Sequence, residues 1–166
     1  LRSITGNFSL NTGGTLRVRL NGSAAGTQHD QLVVSGTVTL GGALDLVCGP
    51  ALAPGSTFRI LDKAGATTTA TIFTGKAENS TFVSAEGYTF RINYNSGTGN
   101  DIVLTLITSP IEQWRFTNYG SVLNTGTALD TADTDADGVS NLLEYATKMT
   151  PAANDSVPQS ATKSAS

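Results

Sequence analysis

One stretch decides the fold: Gly13-Gly14-Thr15-Leu16-Arg17-Val18-Arg19-Leu20. Its apolar residues alternate with arginines, so a β-strand at this place has one apolar face and one charged face. The glycine pair before the strand has a second copy further along, in Gly41-Gly42-Ala43-Leu44. A repeated pattern of this kind favours stacked coils, and therefore a β-solenoid.

The same alternation continues from Leu1 to about Leu106, in short runs broken by glycine, asparagine or proline. Strands that follow one another every eight to twelve residues or so are typical of a sandwich, a barrel or a solenoid. Together with the glycine pairs, this pattern predicts a mainly β domain that forms a solenoid, with a β-sandwich as the alternative.

Composition excludes two kinds of partner. The chain has 166 residues, with 10 basic and 13 acidic side chains and a net charge of −3. It lacks the cluster of lysines and arginines that displaces counterions from phosphate, so we expect no nucleic-acid partner. No run of about 18 apolar residues is present, and we expect no membrane-spanning segment.

Without an initiator methionine or signal peptide, the sequence reads as a processed piece of something longer.

The single cysteine and the single histidine are the candidate catalytic groups. Cys48 shares a strand face with Leu44 and Leu46, which predicts a buried and inert thiol. His29 stands beside Asp30, but neighbouring residues of a strand point to opposite faces, so a histidine at a turn or on the surface is the preferred interpretation. The remaining acids show no sign of the carboxylate pair that hydrolyses glycosides. We predict no catalytic site and no enzyme.

Charged residues recur at a regular spacing in one place, Asp133-Thr134-Asp135-Ala136-Asp137-Gly138-Val139-Ser140-Asn141-Leu142-Leu143-Glu144. A calcium loop of the EF-hand type has carboxylates at positions 1, 3, 5 and 12, a glycine at 6 and a backbone carbonyl at 7, often with a bound water at 9. An acidic turn in solvent is the alternative. The spacing predicts a Ca²⁺ site with ligands Asp133, Asp135, Asp137, Val139, Asn141 and Glu144.

Two short helices are predicted around this loop. A capping box, Ser109-Pro110-Ile111-Glu112, predicts a helix to about Tyr119, with Trp114 against the β domain or a neighbouring chain. The second helix runs from Ser140 to about Lys148. The first helix lies too far upstream to enter a complete EF-hand, so a half-motif is expected. The predicted domains are a β domain over 1–108, a calcium module over 109–150 and a disordered polar tail over 151–166.

Five segments give the β domain a family resemblance. It resembles the end of an autotransporter-type passenger, built of autotransporter-associated strand repeats, over about residues 8 to 108. That resemblance implies a right-handed parallel β-helix that is exported to the bacterial cell surface and is often adhesive. The segments are Gly14-Thr15-Leu16, His29-Asp30-Gln31-Leu32-Val33-Val34-Ser35-Gly36, Leu40-Gly41-Gly42-Ala43-Leu44, Phe58-Arg59-Ile60-Leu61 and Asn100-Asp101-Ile102-Val103-Leu104.

The stretch from Trp114 to Pro151, with the calcium loop at its centre, resembles a C-terminal module of large secreted bacterial proteins and is similar to dockerin and thrombospondin type 3 calcium repeats. We therefore expect a structural or adhesive element of an extracellular or cell-surface protein, able to self-associate into fibres. Its expected partners are other parts of a longer parent chain, identical subunits, or surface glycans and proteins. The alternative is a carbohydrate-binding or dockerin-like protein-binding module.

Overall fold

The computed structural model describes residues 1–64 and 71–154. The chain divides into two compact units, Leu1–Ser109 and Pro110–Ser166. Of the tail that we predict to be disordered, residues 155–166 lie outside the described part. No helix among the described residues is long and apolar enough to cross a membrane.

The first unit is built of short strands. Alternation explains them: in Thr15–Leu20 the side chains of Val18 and Leu20 are buried, whereas Arg17 and Arg19 face outward. The strands in the described part of this unit are β1 (Arg2–Ile4), β2 (Phe8–Leu10), β3 (Thr15–Leu20), β4 (Leu32–Val34), β5 (Val38–Leu40), β6 (Ala43–Cys48), β7 (Thr57–Lys63), β8 (Thr81–Val83), β9 (Thr89–Ser96) and β10 (Asp101–Ile107).

Six of these strands form one mixed sheet, in the order β1-β4-β7-β10-β9-β8. In it β1, β4 and β7 run parallel, whereas β7, β10, β9 and β8 are antiparallel neighbours. The other strands form two small parallel sheets, β2 with β5 and β3 with β6. The unit is therefore mainly β, with parallel pairing confined to part of it.

The predicted right-handed parallel β-solenoid end is wrong. In the described part of the unit the strands do not close into a solenoid, because after β7 they pair in antiparallel fashion. The short turn at 97–100 joins β9 directly to β10, and two strands joined by a tight turn must run antiparallel. The sandwich alternative also fails to describe the sheets, since a sandwich of this class is antiparallel throughout. The alternation of apolar and polar residues predicts where strands form, but it carries no information on which strand pairs with which.

Aromatic side chains fill the centre of the first unit. Phe58 and Phe90 are fully buried and meet edge to face, with ring centroids 6.0 Å apart. Tyr94 is also buried, and its hydroxyl donates a hydrogen bond to the Lys76 carbonyl at 2.8 Å. Phe90 and Tyr94 therefore belong to the core of this unit.

The two candidate catalytic groups, His29 and Cys48, are each at least half-buried in the first unit. His29 is buried rather than on the surface; its Nδ1 lies 3.1 Å from the Gly22 carbonyl oxygen, and its ring meets Phe58 edge to face. The Cys48 thiol is half-buried, and burial, with a further contribution from the Glu86 carboxylate, raises its pKa to about 12. Such a thiol stays protonated at neutral pH and is a poor nucleophile.

The second unit contains α1 (Pro110–Tyr119), a 3₁₀ turn (Gly126–Ala128) and α2 (Asn141–Thr147). The prediction of a short helix from Pro110 to about Tyr119 is confirmed. Gly120 follows it with φ +69°, the left-handed conformation that commonly ends a helix. Lys148 caps α2 in the same conformation, and its N–H bonds to the Glu144 and Tyr145 carbonyls.

Candidate metal centre

Three carboxylates converge in the loop before α2. Asp133, Asp135 and Asp137 each offer an oxygen, and these oxygens all lie within 4.8 Å of one another. The backbone makes this possible by adopting positive φ at Ala136, +62°, and at Gly138, +90°. Glycine reaches this conformation without strain, which is the role expected of Gly138.

Backbone N–H groups donate hydrogen bonds to all three carboxylates. Gly138 donates to Asp133 Oδ2 at 2.9 Å, and Val139 donates to Asp137 Oδ1 at 2.7 Å. Asp137 donates to Asp133 Oδ1 at 3.2 Å and more weakly to Asp135 Oδ1 at 3.4 Å. These bonds fix the direction in which the carboxylates point, and they leave the other oxygens of Asp135 and Asp137 available.

Those two remaining oxygens have no hydrogen-bond partner among the described residues. Asp135 Oδ2 and Asp137 Oδ2 are both shielded from solvent and accept no hydrogen bond. A buried polar atom left unsatisfied costs about 1–3 kcal/mol, and more when it is charged. A hard cation that prefers oxygen ligands would remove this cost, so the donor set fits Ca²⁺ chemically.

The predicted ligands Val139 and Glu144, in the second half of the loop, are buried. Val139 is 2% exposed, and Glu144, in the first turn of α2, is 1% exposed. Glu144 is not a member of the group of oxygens that lie within 4.8 Å of one another. Its role as the carboxylate that closes the ligand shell stays a prediction, as does that of the Val139 carbonyl.

Asn141 is the residue whose surroundings differ most from the expectation. Its amide nitrogen donates to the Thr127 carbonyl at 2.8 Å and to the Leu129 carbonyl at 2.7 Å, and its Oδ1 accepts from the Tyr119 hydroxyl at 2.6 Å. The side chain is only 1% exposed. These bonds tie the start of α2 to α1 and to the chain before the loop, while the predicted part in calcium binding remains untested.

Tyr119 was not foreseen as a site residue. Its hydroxyl also lies 3.3 Å from Thr134 Oγ1. Burial raises the pKa of the phenol, the hydrogen bond with Thr134 lowers it, and the nearby carboxylates of Glu144 and Asp135 raise it further. The net shift is upward, so the hydroxyl keeps its proton and donates hydrogen bonds at neutral pH.

A partly buried ion pair was also missed. Arg115 of α1 is 5% exposed, and its guanidinium lies 2.5 Å from Asp130 Oδ1. Asn124 braces Asp130, donating from its amide to Oδ2 at 3.0 Å and accepting from the Asp130 N–H at 2.8 Å. The Asp130 carbonyl in turn accepts from Leu142 N–H of α2 at 3.0 Å. Asp130 therefore connects α1 to the beginning of α2.

Trp114 has aromatic partners within its own unit. Its ring meets Tyr119 and Tyr145 edge to face, with centroids 5.9 Å and 5.8 Å apart. Tyr145 is the residue directly after Glu144, so the indole lies close to the part of α2 that carries a predicted ligand.

Protein-family models, curated proteins and solved structures give no match to this chain. The resemblances to autotransporter passengers and to dockerin-like modules therefore stay predictions.

Proposed function

We propose that this chain is a non-catalytic structural or adhesive element of an exported bacterial surface protein, and that Ca²⁺ stabilises its second unit. The observation that carries the proposal is the pair of solvent-shielded carboxylate oxygens on Asp135 and Asp137, beside Asp133. Calcium is the fitting cation because it accepts six to eight oxygen ligands in flexible geometry. Extracellular calcium is abundant enough to fill such a site permanently, which suits a structural clamp.

Calcium titration tests the metal part of the proposal. We expect chelator-treated protein to bind one Ca²⁺ with a Kd of about 10⁻⁵ to 10⁻³ M, by isothermal titration calorimetry. At a calcium concentration of 100 Kd, the free energy of unfolding of the second unit should rise by about 2.7 kcal/mol, followed through Trp114 emission. Magnesium at equal concentration is the comparison, since it demands a tighter octahedral shell. The proposed calcium clamp is ruled out if millimolar Ca²⁺ produces neither binding heat in calorimetry nor stabilisation of the second unit.

Open strand edges support the structural part of the proposal. Within the described residues, β2 pairs only with β5, β3 pairs with β6 and also bridges His29 at Leu20, and β1 is at the edge of its sheet. Phe8, Leu10 and Leu16 are half-exposed there, whereas the residues paired with them in the next strands, Val38, Leu40 and Leu44, are buried. Open edges with apolar side chains favour pairing with another strand. We infer that other parts of a parent chain, or identical subunits, cover these edges.

Light scattering after size-exclusion chromatography tests association between identical subunits. We expect the average mass to rise with protein concentration, because the edges of β1, β2 and β3 pair between chains. Leu10→Lys should suppress this rise, since an edge lysine blocks strand addition. Ile72→Lys, a change at an exposed apolar residue outside the strands, is the matched control and should leave association unchanged. A chain that stays monomeric at all concentrations contradicts self-association.

The alternative of a carbohydrate-binding face has less support. Stacking on a sugar needs exposed aromatic rings, but Phe90 and Tyr94 are buried in the core. The hydroxyl of Tyr94 is also occupied, since it donates to the Lys76 carbonyl and accepts from the Phe73 N–H.

A further inference from the structure

The hydroxyl of Tyr119 lies where three parts of the second unit meet. Tyr119 is the last residue of α1. Its hydroxyl donates to Asn141 Oδ1, at the first residue of α2, and contacts Thr134 Oγ1, between two predicted ligands of the loop. We propose that Tyr119 is a positioning residue that sets the calcium affinity of the loop without touching the ion. This inference rests on the proposed calcium site.

The first part of the argument concerns α2. Asn141 is buried and uses its amide nitrogen on the Thr127 and Leu129 carbonyls, so its orientation is fixed. Its Oδ1 accepts a short bond from Tyr119 and a long one, 3.4 Å, from Thr134. Removing the Tyr119 hydroxyl leaves that buried oxygen with the weak bond alone. The start of α2, and with it Glu144 one turn later, then loses its side-chain link to Tyr119 and keeps the link to α1 that passes through Asp130.

The second part concerns the loop. Thr134 lies between Asp133 and Asp135, so its position affects where both carboxylates point. Tyr119 therefore links the first half of the loop to the helix that carries the last predicted ligand. Calcium binding requires those two halves to converge, and a link that holds them together beforehand reduces the ordering that binding must supply.

The third part supplies an optical readout. Trp114 is the only tryptophan of the chain. Its ring meets both Tyr119 and Tyr145, the residue after Glu144. If calcium draws Glu144 toward the loop, Tyr145 moves with it, and the emission of Trp114 should change on binding.

Tyr119→Phe tests the proposal, with Tyr145→Phe as the matched control. Both substitutions remove one phenolic oxygen from an aromatic partner of Trp114. We expect Tyr119→Phe to weaken Ca²⁺ binding about tenfold in calorimetry, since one hydrogen bond to a buried group is lost, whereas Tyr145→Phe changes the affinity less than about twofold. The calcium dependence of Trp114 emission should shift to higher concentration by the same factor.

The outcomes separate this inference from the proposed function. If wild-type protein binds no Ca²⁺, the calcium site itself is wrong. If wild type binds and Tyr119→Phe binds equally well, Tyr119 has no positioning role, even if the variant unfolds more easily in chelator. Should Tyr119→Phe fail to fold, Thr134→Val removes the loop-side hydroxyl instead. It is expected to weaken binding severalfold, and unchanged affinity overturns the inference.

Discussion

Asp137→Asn is expected to weaken calcium binding by roughly 100-fold or more, because it removes the charge and one oxygen of a ligand that the fold cannot replace. The substitution keeps an oxygen that can accept the Val139 N–H bond, so the turn survives. The NH₂ group of the asparagine then replaces Oδ2, the oxygen of Asp137 that is shielded from solvent and accepts no hydrogen bond. Calorimetry with Ca²⁺ measures the loss directly.

The same variant should have the opposite effect when calcium is absent. Without a cation the carboxylates of Asp133, Asp135 and Asp137 repel one another, and two buried oxygens are unsatisfied. We expect Asp137→Asn to raise the free energy of unfolding of the second unit by about 1 kcal/mol in chelator. In saturating Ca²⁺ it should lower that free energy. This reversal of sign is specific to a metal site.

Asp45→Asn provides the charge-matched control. Asp45 forms an exposed ion pair with Arg17 in the first unit, at 2.7 Å. Its substitution changes the net charge by the same amount, yet it should leave calcium affinity unaltered. If Asp137→Asn behaves like this control in both conditions, the loop is an acidic turn in solvent.

The strands could be predicted from the sequence because alternation is local. Val18 and Leu20 are buried and their arginine neighbours exposed, as the alternation requires. Pairing is not local: β3 pairs in parallel with β6, but β7 takes β4 on one edge and β10 on the other in opposite directions. Glycine pairs that suggested coils therefore could not reveal where parallel pairing ends.

The candidate site also has a local part, which could be predicted from the sequence, and a non-local part, which could not. Asp133, Asp135 and Asp137 converge through turns within the loop, so their spacing was enough to find them. Tyr119 and Asn141 are 22 residues apart and meet through tertiary packing. No periodicity or motif marks such a pair, so the buried hydrogen-bond network around Asn141 could not be predicted from the sequence.

The pair of Arg115 and Asp130 leads to the second large prediction. Arg115→Met should lower the free energy of unfolding of the second unit by about 1.5–3 kcal/mol, because it leaves the partly buried carboxylate of Asp130 without its cation. The guanidinium and carboxylate are 2.5 Å apart, and the two side chains are 7% and 30% exposed. Urea denaturation followed by Trp114 emission measures the change, with calcium held constant.

The double variant Arg115→Met with Asp130→Leu separates the ion pair from packing. Arg115 Nε is buried without a hydrogen bond, so the pair is not fully satisfied. Replacing both charges with apolar groups should therefore cost less than Arg115→Met alone, since no buried charge is left behind. Arg17→Met, which breaks an ion pair whose arginine is 75% exposed, should cost about 0–1 kcal/mol. A double variant less stable than either single variant would show that Asp130 acts mainly through Asn124 and α2, and not through its charge.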